Sequence, residues 1–125
     1  MNAGSAFINY QPGEYDGGGT VPRIGWDYGF VGAFGGTTDY TFDQPVSGYV
    51  AVTLAWDRIH QKTGDEESYA SGDQFFNPSL VELDLYLLPA DTDDLNLAID
   101  RSVAFDDNVE HIFFNVQNPG NYKIK

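Results

Sequence analysis

Residues 49–58 limit what this chain can fold into more than any other stretch. Val50, Val52, Leu54 and Trp56 alternate without a break with Tyr49, Ala51, Thr53, Ala55 and Asp57. A two-residue period puts every second side chain on one face, so the apolar set faces a core and the others face out. The same period recurs downstream at Ile112, Phe114 and Val116, and again at Tyr122 and Ile124. Nowhere does a 3.6-residue period persist for ten residues, which excludes a helical domain.

The remaining strands follow from the same pattern. Residues 6–10 predict one short strand inside an otherwise Gly-, Asn- and Gln-rich opening segment. Ile24, Trp26, Tyr28 and Phe30 alternate with Gly25, Asp27 and Gly29 and predict a half-buried strand. Tyr40 and Phe42 begin another that Pro45 ends. Val81, Leu83, Leu85 and Leu87 form an inward set, with Glu82, Asp84 and Tyr86 outward and Pro89 closing the run. Leu95, Leu97 and Ile99 predict a shorter strand. Between the strands lie turn signals such as Asn118-Pro119-Gly120-Asn121. The class expected is all-β, an antiparallel two-sheet β-sandwich of jelly-roll or Greek-key type. Residues 1–22 are read as an extended N-terminal arm and 23–125 as the sandwich domain. One segment, 59–79, is too long for an ordinary connection, and such loops are often functional.

Charge narrows the function. Six basic residues stand against 19 acidic ones, a net charge of −13. A nucleic-acid surface needs the opposite sign, and an anionic membrane would repel the chain. No apolar run reaches the ~20 residues of a membrane span. Met1 opens no charged-then-apolar leader, so an exported form is expected as a mature chain. With no cysteine there are no disulfides and no thiolate chemistry. Hydrolytic motifs are missing too: there is no Gly-x-Ser-x-Gly elbow, and His60 and His111 form no paired zinc motif. The expectation is a protein that is not an enzyme.

Such acidity favours solubility, divalent cations or basic partners; a solvated acidic surface is the plainer reading and calcium, which needs six to eight oxygens, the sharper one. The run from Asp91 resembles an EF-hand loop but has Asn96 at its sixth position and Ser102 at its twelfth, so it is rejected. A better calcium set is Asp84, beside Glu82 on an outward strand face, with Asp106, Asp107 and Glu110, beside Asn108, at a strand entrance. Parity makes Glu110 special. It shares a face with Ile112, Phe114 and Val116, so its carboxylate points toward the core and must be paired, hydrogen-bonded or metal-bound. Arg58, following Trp56 on an inward face, is the favoured partner, ahead of a metal or of backbone hydrogen bonds alone. Ring faces that stack on sugars are expected in the long loop and on outward strand positions: Tyr69, Phe75, Phe76 and Tyr86, with Tyr49 and Phe113 of the same kind. The triplet Asn77-Pro78-Ser79 is disqualified as a glycosylation acceptor by its proline.

Four motifs occur in a particular order: Val50-Ala51-Val52-Thr53-Leu54-Ala55-Trp56, Leu83-Asp84-Leu85-Tyr86-Leu87, Asp107-Asn108-Val109-Glu110-His111-Ile112 and Gly120-Asn121-Tyr122-Lys123-Ile124. In this order they resemble the bacterial pre-peptidase C-terminal domains and the β-sandwich domains C-terminal to subtilisin-like proteases. With Val21-Pro22-Arg23-Ile24-Gly25-Trp26-Asp27 upstream, the chain looks like secreted bacterial proteins that carry this sandwich ahead of a surface-sorting signal. The resemblance implies a jelly-roll-like fold, export and a non-catalytic role; some relatives bind calcium and others collagen. Glu82 stands where those families have the first Asp of Asp-Leu-Asp-Leu, and no protease or sorting segment is present. The function expected is therefore a secreted or cell-surface module for adhesion, matrix or filament assembly, stabilised by calcium. Its partners would be an extracellular protein, a polysaccharide or further copies of itself. The alternative is a carbohydrate- or collagen-binding accessory domain of a larger secreted enzyme.

Overall fold

The computed structural model describes residues 14, 17–31, 36–57, 61–63, 68, 70–76 and 81–125. Among them the chain is all-β. Nine strands run in order: β1 (Gly19–Thr20), β2 (Tyr40–Gln44), β3 (Gly48–Ala55), β4 (Gln61–Lys62), β5 (Phe75–Phe76), β6 (Leu85–Pro89), β7 (Asp100–Ser102), β8 (Val109–Val116) and β9 (Gly120–Ile124). They form one five-stranded sheet, ordered β1-β2-β9-β6-β7, and two pairs, β3-β8 and β4-β5; none of the sheets closes. Every pairing is antiparallel except β1 with β2. No helix among the described residues is long and apolar enough to cross a membrane.

The core follows from parity. In the β3-β8 pair, Gly48 lies opposite Val116, Val50 opposite Phe114, Val52 opposite Ile112 and Leu54 opposite Glu110. The alternating apolar sets of both strands therefore share one face. Val50, Ile112 and Val116 pack with Phe42, Leu85, Leu87, Tyr122 and Ile124 of the five-stranded sheet. Each such side chain contributes about 1.5–3 kcal/mol on full burial. A core shared by two sheets is a layout compatible with a β-sandwich. The chain crosses between them at one end, where β2 leads into β3 and β8 into β9. There Tyr122 Oη donates to the carbonyl of Asn118 at 2.6 Å, holding the second crossing.

Two predicted strands are corrected. Residues 24–30 make only an isolated bridge, Trp26 to Glu14, and Tyr28 and Phe30 are 80% and 90% exposed. Gly25 and Gly29 weaken a strand here, and Tyr28 and Phe30 stay out of the core. Leu95–Leu97 is a turn of 3-10 helix, and the strand begins later, at Asp100. Asp94 is the cause: its carboxylate accepts the Asn96 backbone N–H at 3.0 Å, a local bond that competes with extension. Val81, expected inward, is 54% exposed and precedes β6. The strand expected at 6–10 lies outside the described residues.

Candidate functional site

Among the described residues, β3 is paired along one edge only. Trp56 N–H donates to Asn108 O at 3.1 Å, and Asn108 Nδ2 returns a bond to Trp56 O at 2.8 Å. Backbone groups alternate sides along an antiparallel strand. The N–H and C=O of Ala55, Thr53, Ala51 and Tyr49 therefore turn away from β8, and among the described residues β3 pairs with no other strand. From Gly48 to Ala55 there is no charge and no proline, the usual guards of an exposed edge.

Beside this edge runs a groove of about 1120 Å³. Residues 21–27 line one side and β3 the other, and the core side chains Phe42, Leu85 and Ile124 also reach it. It is mostly apolar, with Arg23, Asp27 and His111 supplying polarity. Val21 is fixed there by its N–H bond to Thr41 O at 2.8 Å, which continues the β1-β2 pairing. Over the outer face of β3 and β8 the groove meets Tyr49 and Phe113, whose rings stack at 4.9 Å between centroids and 10° between planes. Next to them, Thr53 Oγ1 and His111 Nδ1 share a hydrogen bond of 2.7 Å.

Asp27 anchors the far wall. Its Oδ2 accepts from Tyr40 Oη at 2.5 Å and from Gly17 N–H at 3.1 Å, while its buried Oδ1 has no partner among the described residues. Burial, and then the Asp27 carboxylate, push the Tyr40 phenol up from its ordinary range. Gly18 lets this wall close: its φ is +90°, and a Cβ there would meet Asp39 O at 2.7 Å. The sequence flagged the glycine run and the period of 24–30 but gave no sign that Asp27 and Tyr40 would meet.

Of the residues expected to bind metal, Glu110 is buried at 1% exposure, as parity demands. Its Oε2 accepts from Ser102 Oγ and its Oε1 from Ala104 N–H at 2.6 Å, while Ser102 Oγ accepts from His111 N–H at 3.1 Å. These bonds tie β8 to the end of β7. Arg58 lies outside the described residues. Asp106 and Asp107 are exposed in the turn before β8. Asp84 accepts from Tyr86 Oη at 3.1 Å, so the structure makes partners of two residues assigned to different sites. Among the described residues no three acidic or histidine side chains converge as a metal site. The four proposed calcium ligands are thus not brought together as a described group, and both Glu110 oxygens already accept hydrogen bonds.

The expected aromatic site is divided. Tyr69 lies outside the described residues. Phe75 and Phe76 form β5 and are 62% and 47% exposed, but they pair with β4 in a separate small sheet. Tyr86 is half-buried, with its hydroxyl bonded to Asp84. The long loop carries a fixed turn: Asp73 Oδ2 accepts from Ala70 N–H at 2.8 Å and from Lys62 Nζ at 3.0 Å. No family model matches the chain, and neither a curated protein nor a solved structure matches it.

Proposed function

We propose that this chain is a non-catalytic β-sandwich module of the cell exterior that assembles by receiving an extended strand along the open edge of β3. The observation that carries this is the conjunction of an uncharged edge, unpaired among the described residues, with an apolar groove reaching the core. Strand addition draws affinity from main-chain hydrogen bonds and specificity from alternate side chains in pockets. Four residues of β3 present outward main-chain groups, and Val50, Val52 and Leu54 provide the apolar face beside them. The motif order shared with secreted sandwich domains supports export and a non-catalytic role. Calcium is not required for strand addition.

Ala51→Pro tests it. The Ala51 N–H faces away from β8, so proline there removes an outward donor and no ladder bond. Sedimentation across a concentration series should show association for the native chain and a monomer for the variant, with thermal midpoints within a few degrees of each other. A native chain that stays monomeric at high concentration would sink the assembly function. If that monomer were held on insoluble polysaccharide and released by Tyr49→Ala, the stacked Tyr49–Phe113 pair would instead make this a carbohydrate-binding module.

A further inference from the structure

We infer that the strand received by β3 is residues 6–10 of a second copy of this chain, an inference that rests on the assembly function proposed above. The groove is uncharged along β3, so its occupant must bring no unpaired charge into it. Outside the strands of the described residues, two runs of ten residues or more carry no charge: 1–13 and 28–38. The second has glycine at positions 29, 32, 35 and 36, which weakens a strand. Residues 5–11 contain neither glycine nor proline.

Their pattern fits the groove. Ala6, Ile8 and Tyr10 fall on one face, Phe7 and Asn9 on the other. The first set complements the apolar row of Val50, Val52 and Leu54. Five extended residues span roughly 16 Å, which the eight residues of β3 accommodate with room at both ends. The residue that follows this segment is also in the right place: Glu14 bridges Trp26, and Trp26 lines the groove. A reciprocal exchange between two copies then needs no long linker. It makes a closed, two-fold pair in which each chain is both donor and acceptor. Two chains of net charge −13 repel, so salt should strengthen this pairing by screening.

Complementation between two full-length variants provides the test. Ile8→Asp places a charge on the donor face and leaves the acceptor intact; Ala51→Pro does the reverse. Each alone should be monomeric where the native chain is dimeric, with self-association weakened about tenfold or more, which is about 1.4 kcal/mol. A one-to-one mixture should restore a dimer holding one variant of each kind, with a single intact seat. Should Ala51→Pro lower the thermal midpoint, Ala55→Pro takes its place, since its N–H faces the same way. If Ile8→Asp associates like the native chain while the proline variant does not, β3 remains an acceptor but its strand comes from elsewhere, and this inference falls alone. If both variants associate like the native chain, the assembly function falls with it. A native monomer whose Ala51 and Thr53 amides are protected only while Ile8 is intact would place the segment in its own chain and overturn the exchange.

Discussion

Glu110 shows how much one residue can disclose about a β fold. A buried acidic side chain at the end of an apolar face is costly unless its oxygens are satisfied, and here both are, by Ser102 and by the Ala104 N–H. The residue's work is structural: it clasps the end of β7 to β8. Glu110→Ala should therefore cost about 2–4 kcal/mol, since two donors lose their buried acceptor. Glu110→Gln keeps an acceptor for the Ala104 N–H and should cost about 1 kcal/mol. Urea unfolding of the two variants checks this. Equal losses would mean that the carboxylate's charge matters rather than its hydrogen bonds. The inward direction of Glu110 was legible in the sequence because parity is local. Its partners were not, because Ser102 and Ala104 reach it only where the end of β7 comes against β8, a contact between strands of different sheets. Asp27 shows the same division: its place in an alternating run could be read, but not its meeting with Tyr40.

At the scale of elements, the strands that could be read from sequence are those with a neighbour on which to bury a face. β2, β3, β8 and β9 appear where the alternation puts them. Residues 24–30 and 95–99 carry the same period and fail as strands. The first carries Gly25 and Gly29 and leaves Tyr28 and Phe30 exposed, and the second gives way to the short-range bond of Asp94. Periodicity reports a capacity to form a strand; pairing decides whether the capacity is used. Pairing also decides which strand is left open, a property no period encodes. This predicts a specific pattern of amide exchange in dilute, unassociated protein. Val50, Val52 and Leu54 donate toward β8 and should exchange slowly, while Ala51, Thr53 and Ala55 exchange fast. Residue-resolved hydrogen exchange reads this directly. Uniform protection along β3 in the monomer would mean that its outer edge is already covered.

Two of the six cations in the molecule serve the five-stranded sheet. Lys123, buried on β9, reaches Asp93 at 2.5 Å and Asp39 at 3.6 Å, and Lys125 binds the same two carboxylates. The hydrogen bonds from Lys123 and then Lys125 hold the Asp93 carboxyl below its ordinary range, and the Ala70 N–H followed by Lys62 does so for Asp73. A carboxyl whose folded value is lowered contributes stability above its unfolded value, about 3.9, and loses it as pH falls through the folded one. At the other end, Asp39 raises the Lys125 ammonium, and burial with Asp27 raises the Tyr40 phenol. Those contributions are present below about pH 10 and are lost as pH climbs past it. The thermal midpoint should accordingly fall on both limbs, below about pH 4 and above about pH 10. Tyr40→Phe should flatten the alkaline limb, because a phenylalanine has no proton to lose beside Asp27. Asp93→Asn should make the acid limb shallower, though only slightly, since the Asp93 side chain is 72% exposed and water screens its pairs. Added salt should shrink that difference further while leaving the Tyr40 effect, which depends on burial, nearly intact. An alkaline limb in Tyr40→Phe as steep as in the native chain would assign that loss to the lysines and remove Tyr40 from the account.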